Sequence, residues 1–165
     1  DNYYFDLSEK FDYDGGAINF DHPEMLEFTL LASHLKKLKE GSSVNIPCYD
    51  FSTHSRLEKT NKIDPNEIIL VDGILILNSE ELMDLFDLKI FIDTPDDIRF
   101  ERRMKRDINE RNRTQEGVRN QWEVQVLPMH KKYVENTINS ANIIVSKNDD
   151  FDDVAKKILT EIKEL

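Results

Sequence analysis

Apolar positions recur along this chain with two periods, and the alternation between them is its most informative feature. Residues 21 to 41 open with Asp21 and Pro23 and carry Phe28, Leu31, Leu35 and Leu38 at spacings of three and four. They close on Lys36-Lys37-Leu38-Lys39-Glu40-Gly41, which predicts an amphipathic helix with both ends marked. Val44 to Pro47 then reads as a short strand. Ile68-Ile69-Leu70-Val71 is a continuous apolar run of the kind buried on both faces of a parallel sheet. Leu88 to Ile92 predicts a further strand, ending at Asp93-Thr94-Pro95 and leading into a helix capped near Thr94 that runs to about Arg111. Another helix is predicted from Thr114 to Asn136, a buried strand at Ile143-Ile144-Val145, and a last helix over Phe151 to Glu164 with Val154, Ile158 and Ile162 on one face. Strands alternating with helices of this length predict an α/β fold with a mostly parallel sheet, in which ligands lie beyond the carboxyl ends of the strands.

Composition narrows the classes. The 165 residues include nine Phe and five Tyr, enough aromatic surface for a packed core, so wholesale disorder is excluded. With 22 Lys+Arg against 33 Asp+Glu the net charge is -11, which argues against a nucleic-acid or anionic-membrane binder. No run of about 18 apolar residues is present, and Asp1-Asn2-Tyr3-Tyr4 has none of the features of a secretion signal. Cys48 is the only cysteine and, with four scattered His, offers neither a disulfide nor zinc spacing. A cytoplasmic setting is the expectation. Repeats, low-complexity tracts and flexible linkers are absent, which predicts one domain over 1–165.

Chemistry concentrates in four places. Asp72-Gly73 follows the run Ile68 to Val71, a pattern that suits either a metal-holding carboxylate or a turn and N-cap Asp. Near the start, Asp1-Asn2-Tyr3-Tyr4 and Asn19-Phe20-Asp21-His22-Pro23 set acids beside aromatic rings, fit to hold a hydroxyl-bearing ring or to serve as ordinary packing and a helix cap. Asp12-Tyr13-Asp14-Gly15-Gly16 fails as a calcium loop, because Pro23 stands where the closing Glu is required. Tyr49-Asp50-Phe51-Ser52-Thr53-His54-Ser55-Arg56 gathers two aromatics, a His and an Arg in a loop that could clasp a planar base. Between Arg99 and Arg113 seven basic residues face three acidic ones. This net +4 segment could aim several guanidiniums at one polyphosphate or could simply be a solvated helix of i,i+4 ion pairs.

Taken in order, these segments, with Asp72-Gly73-Ile74-Leu75, Phe91-Ile92-Asp93-Thr94, Arg102 to Asp107, Glu110 to Thr114 and Pro128-Met129-His130, resemble the uridine kinase (uridine-cytidine kinase) family of P-loop nucleoside kinases. The resemblance implies a three-layer P-loop NTPase-like fold and transfer of the γ-phosphate of ATP to the 5′-hydroxyl of uridine or cytidine, with Mg²⁺ as cofactor and homo-oligomers common. It sets Asp1 as catalytic base and, with Asp72, at the metal. Tyr4, Asp21, Tyr49, Phe51, His54, Arg103 and Gln121 fall on nucleoside-binding positions, with Asp21 gripping the ribose hydroxyls. Arg106, Arg111 and Arg113 fall on a lid that closes over the ATP phosphates, within a basic region at 99–113.

Some positions depart from the family. Asp72 stands where a Glu is usual and reaches about 1.5 Å less. Asn112 replaces the lid Gly, Phe5 a basic residue, and Thr137 to Asn142 lacks the usual basic and aromatic residues. The phosphate loop G-x-x-x-x-G-K-[ST] is absent from the 165 residues. In the family it lies just upstream of the segment matching Asp1 to Tyr4, so the expected domain lacks its first strand, phosphate loop and helix, and by itself phosphorylates poorly or not at all. The other readings are a phosphoribulokinase-like or pantothenate kinase-like enzyme, and a non-catalytic nucleoside-binding pseudo-kinase.

Overall fold

The computed structural model describes residues 2–8, 18–50 and 53–165. The chain divides into two compact units, Asp1–Leu85 and Phe86–Leu165.

In the first unit Pro23–Met25 form a 3₁₀ turn capped by His22, whose Nδ1 accepts from the Glu24 N–H. Helix α1 then spans Phe28–Lys39 and starts later than the sequence suggested, because the proline belongs to this separate turn. It buries Leu31, Ala32, His34, Leu35 and Leu38, and carries Lys36, Lys37 and Lys39 in its last turn, where cations meet the negative end of the helix dipole. Gly41 at φ 81° turns the chain out of it. Strand β1 (Val44–Asp50) pairs antiparallel with β2 (Ser55–Ile63), from Val44 opposite Ile63 to Asp50 opposite Ser55. The register shifts between Pro47 and Cys48, where proline has no N–H to give the ladder. The shift breaks the two-residue alternation, so Pro47, Cys48 and Tyr49 are all buried. A short helix α2 (Glu80–Met83), capped by Ser79, buries Leu82 completely and is tied to α1 by a Lys36–Glu81 ion pair of 2.9 Å.

Two expectations are corrected here. Ile68 to Val71 forms no strand, and Leu70 is 87% exposed. An apolar run becomes a strand only where a neighbouring backbone takes its N–H and C=O groups, and among the described residues neither sheet extends to it. Ser55–Ile63, read as part of a loop and the stretch beyond it, is a strand despite being polar and largely exposed, because β1 supplies its ladder.

In the second unit β3 (Ile90–Asp93) and β4 (Ile143–Ser146) pair in parallel, with Ile90 opposite Ile143. Between them α3 (Asp96–Arg111) leads through Asn112 to α4 (Gln115–Gln121), capped by the Thr114 hydroxyl, which accepts from the Gly117 N–H. The helical path continues as π turns over Trp122–Val126 and His130–Val134 around a short α5 (Leu127–Met129), then ends in the 3₁₀ turn Glu135–Ser140. Pro128 explains the widening: it cannot donate to the residue four before it, and the Leu127 N–H already bonds to the carbonyl of Trp122, five back. Phe100 of α3 packs on Trp122 at 5.3 Å, with Arg99 over the Trp122 ring and Arg119 over that of Phe100. Helix α6 (Phe151–Glu164) is capped by Asp150, whose carboxylate accepts from the Asp152 and Asp153 N–H groups. Only Val154, Ile158 and Ile162 of this helix are withdrawn from solvent, the stripe the sequence predicted.

The α/β class holds, and β3–β4 is its parallel element. The expectation of a mostly parallel sheet is narrowed, since among the described residues one of the two pairings is the antiparallel β1–β2.

Candidate functional site

The first unit gathers aromatic rings around the turn between β1 and β2. Tyr49 arrives at the end of β1 and lies 5.4 Å from the Tyr4 ring. His54 occupies the turn at φ 51°, a left-handed conformation that His adopts more readily than bulky residues. Its ring stacks on Phe20 at 4.2 Å, and its Nδ1 is hydrogen-bonded to the Tyr49 hydroxyl at 3.3 Å. Burial pushes the Tyr49 phenol up to about 12, with the Asp6 carboxylate adding to it and Arg56 opposing. A phenol held protonated suits Tyr49 as the donor in that bond. The Tyr4 hydroxyl donates to the Phe20 carbonyl at 3.1 Å, which fastens the segment carrying the neighbouring half-buried Asp21. The structure thus brings Tyr4, Tyr49 and His54 together, with Asp21 adjacent to Phe20 in the chain. Asp1 and Phe51 lie outside the described residues.

Arg56 and Glu27 were not singled out from the sequence as partners, and they organise this region. The Arg56 guanidinium donates from Nε to the Tyr4 carbonyl (2.7 Å), from Nη2 to that of Tyr3 (3.1 Å) and from Nη1 to Glu27 Oε2 (2.5 Å). Its own N–H bonds to Asp6 Oδ2 at 3.0 Å. Phe5 N–H to Met25, Glu27 N–H to Tyr3 and Leu7 N–H to His54 complete the seam that holds residues 3–7. Asp6 is held below the usual carboxylate range, first by the Ser8 hydroxyl and N–H, then by the Arg56 N–H. The only signal for Arg56 was its place in the Tyr49–Arg56 loop, and for Glu27 there was none. Both act through partners 29 or more residues away in sequence.

Asp72 is exposed on the rim of an apolar groove of about 300 Å³ that also involves Tyr3, Leu31, Leu35 and Leu75. A Cβ at Gly73 beside it would stand 3.0 Å from the Ile76 Cγ2 methyl, close enough that this side chain would have to shift by a few tenths of an ångström. Among the described residues no group of three or more His, Cys, Asp or Glu is arranged to hold a metal.

The second unit holds the arginines. Asp107 is wholly buried, and its Oδ1 accepts from Arg106 Nε at 2.9 Å with Nη2 at 2.8 Å. Arg111 Nη1 approaches the same oxygen to 3.6 Å, and Arg103 Nε faces Oδ2 at 3.5 Å. The Asp107 carbonyl accepts the N–H groups of Asn112 and Arg113, closing α3 through Asn112 at φ 55°. Asparagine is the usual substitute for glycine in this left-handed conformation, so Asn112 holds the cap geometry. Gln121 Oε1 accepts from both Arg103 Nη2 (3.0 Å) and Arg113 Nη1 (2.5 Å). Arg103, Arg106, Arg111, Arg113 and Gln121 therefore form one array.

Residues 5–153 match the model of the phosphoribulokinase / uridine kinase family. A uridine kinase of Clostridium perfringens is 44% identical over 165 residues, all of this chain and 79% of that protein. One from Leuconostoc citreum is 43% identical over 145 residues, 88% of this chain and 69% of the relative. A solved structure described as that of a possible uridine kinase from Bacillus stearothermophilus superposes with a TM-score of 0.58 over 87% of this chain and 67% of that one, at 15% identity, a likeness of fold. From the family match and the identities over the whole chain, the protein belongs to the phosphoribulokinase / uridine kinase family.

Proposed function

We propose that this chain carries the acceptor site and lid of an ATP-dependent uridine/cytidine kinase that transfers the γ-phosphate to the nucleoside 5′-hydroxyl. One observation favours a nucleoside over a sugar phosphate: the ring cluster of Tyr4, Phe20, Tyr49 and His54 has Arg56 as its neighbouring cation, and that guanidinium is already engaged by Glu27 and two carbonyls. Such a site suits a flat, uncharged group and offers little to a second phosphate.

In this reading Tyr4, Tyr49, Phe51 and His54 hold the pyrimidine, Asp21 accepts from the ribose hydroxyls, and Arg103 and Gln121 complete the acceptor site. Asp1 orients the 5′-hydroxyl and takes its proton as the oxygen attacks. Arg106, Arg111 and Arg113 balance the negative charge on the transferring group, where positioned cations contribute most. Asp72 and Asp1 offer hard oxygen donors of the kind Mg²⁺ takes. One or two carboxylates, completed by phosphate and water, are its ordinary protein share in nucleotide sites. Bound there, the ion would supply charge neutralisation at the phosphates. The reading places the protein in the cytoplasm, acting on small molecules.

The test is ATP-dependent phosphorylation of uridine, cytidine, ribulose 5-phosphate and pantothenate by a polypeptide that also carries a phosphate loop. Turnover of a nucleoside is expected, and none of either nucleoside by a folded protein overturns the reading. The 165-residue chain alone is expected to bind nucleoside with little or no turnover.

A further inference from the structure

Four arginines stand around one buried carboxylate in the array of the second unit, and with Glu110 also acting on Arg111 the cations remain in excess. Isolated burial of a carboxylate is costly, so its presence at zero exposure needs a reason beyond helix stability. All four cations refer to this one residue. Arg103, Arg106 and Arg111 meet its two carboxylate oxygens, and Arg113 is bonded through its N–H to the Asp107 carbonyl. Burial first, and then the neighbouring Arg106 and Arg113, hold the Arg111 guanidinium below its ordinary range, with Asp107 and Glu110 opposing. Gln121 ties the two outer members together with one oxygen.

We propose that Asp107 is a positioning residue: its buried carboxylate and its carbonyl set the spacing of Arg103, Arg106, Arg111 and Arg113 so that the array presents a preformed seat for a chain of phosphates. The proposal rests on the reading of Arg106, Arg111 and Arg113 as the phosphate lid, with Arg103 bordering it from the acceptor site. Asp107 touches neither substrate nor nucleotide and acts only through the guanidiniums. Bulk electrostatics and positioning make opposite predictions here. Removing a negative charge raises the positive potential and should tighten anion binding, whereas loss of a spacer lets four like charges spread and should weaken it.

The experiment measures binding of inorganic tripolyphosphate to the 165-residue chain and to Asp107→Asn by calorimetry, with NMR of the arginine Nε–H groups. Asp107→Asn is expected to bind about tenfold more weakly, and the Arg106 Nε–H, protected in the unsubstituted chain, to exchange like that of free arginine while the backbone spectrum survives. Equal or tighter binding by a folded Asp107→Asn overturns the proposal. Should that variant not fold, Asp107→Glu keeps the charge and moves it by about 1.5 Å; unchanged affinity there overturns it equally. An Arg106 Nε–H that is unprotected in the unsubstituted chain, or no tripolyphosphate binding by it, does so without any variant. A kinetic arm, in a polypeptide that also carries a phosphate loop, separates the two readings. Nucleoside phosphorylation with unchanged kcat in Asp107→Asn leaves the kinase reading standing and removes the positioning role, while weakened tripolyphosphate binding in a protein that phosphorylates no nucleoside does the reverse.

Discussion

The ring cluster around Tyr49 and the arginine array around Asp107 solve opposite problems with the same device, a charged side chain fixed by polar partners. In the first, a single guanidinium, Arg56, is neutralised by Glu27 and two carbonyls, and what remains is aromatic surface with a phenol held protonated by burial. In the second, one carboxylate meets three guanidiniums, a fourth is held beside them by Gln121, and an excess of positive charge is left. A neutral cluster selects by shape and by hydrogen-bond direction, and its contacts respond weakly to salt. A cluster with uncompensated charge asks for an anion, and its affinity falls with ionic strength. The lesson is that the ratio of partners, more than the count of charged residues, tells the two kinds of site apart.

The largest expected effect lies at the head of the segment that Arg56 fastens. In a polypeptide that also carries a phosphate loop, Asp1→Asn is expected to lower kcat by about 10² to 10⁴ while the nucleoside Kd changes little. Steady-state kinetics with equilibrium binding reads both, and near-normal kcat removes Asp1 from the base role. Next, Arg113→Ala in the same form should lower kcat by about 10² and reduce its sensitivity to added salt, with the nucleoside KM nearly unchanged. A change confined to nucleoside KM would put Arg113 on the wrong side of the comparison.

A smaller effect belongs to Tyr49→Phe, which removes the hydroxyl from His54. The nucleoside KM should rise about fivefold, the worth of one ordinary hydrogen bond of about 1 kcal/mol, with the KM for ATP untouched. An equal rise in both would dissolve the distinction between the two clusters.

The smallest effect is on stability in alkali. Burial raises both Tyr3 and Tyr49 from about 10 to about 12. Above pH 10 the unfolded chain therefore releases protons that the folded chain retains, and their contribution to stability, fully present below pH 10, is lost progressively towards pH 12. Denaturant titrations at pH 9, 10 and 11 should show the decline, and Tyr49→Phe should make it shallower. A flat profile would mean these phenols are as hydrated folded as unfolded.

Much of this was legible in the chain itself. Gly41 marked the end of α1 and Thr114 the start of α4, and Val154, Ile158 and Ile162 drew the half-buried stripe of α6, whereas the cap expected near Thr94 is Pro95, with no side-chain hydrogen bond. Ring residues of the first cluster were visible as types, and so were the arginines of α3. Less legible was Ser55–Ile63, whose Glu58, Lys59 and Lys62 hide a strand that exists because β1 is alongside. Ile68–Val71 erred the other way, apolar enough for a strand and unpaired with either sheet among the described residues.

The sequence by itself determined the α/β class, the main helices, the residue types of both clusters and the family, because each depends on neighbours close in the chain or on an ordered set of short motifs. Only tertiary structure decided that Arg56 is engaged by Glu27, that Phe20 stacks on His54, and that Asp107 and Gln121 bind four arginines into one array. Apart from the adjacent Arg106 and Asp107, those pairings join residues from 4 to 34 positions apart, and the sign of the charge left over at each site follows from them.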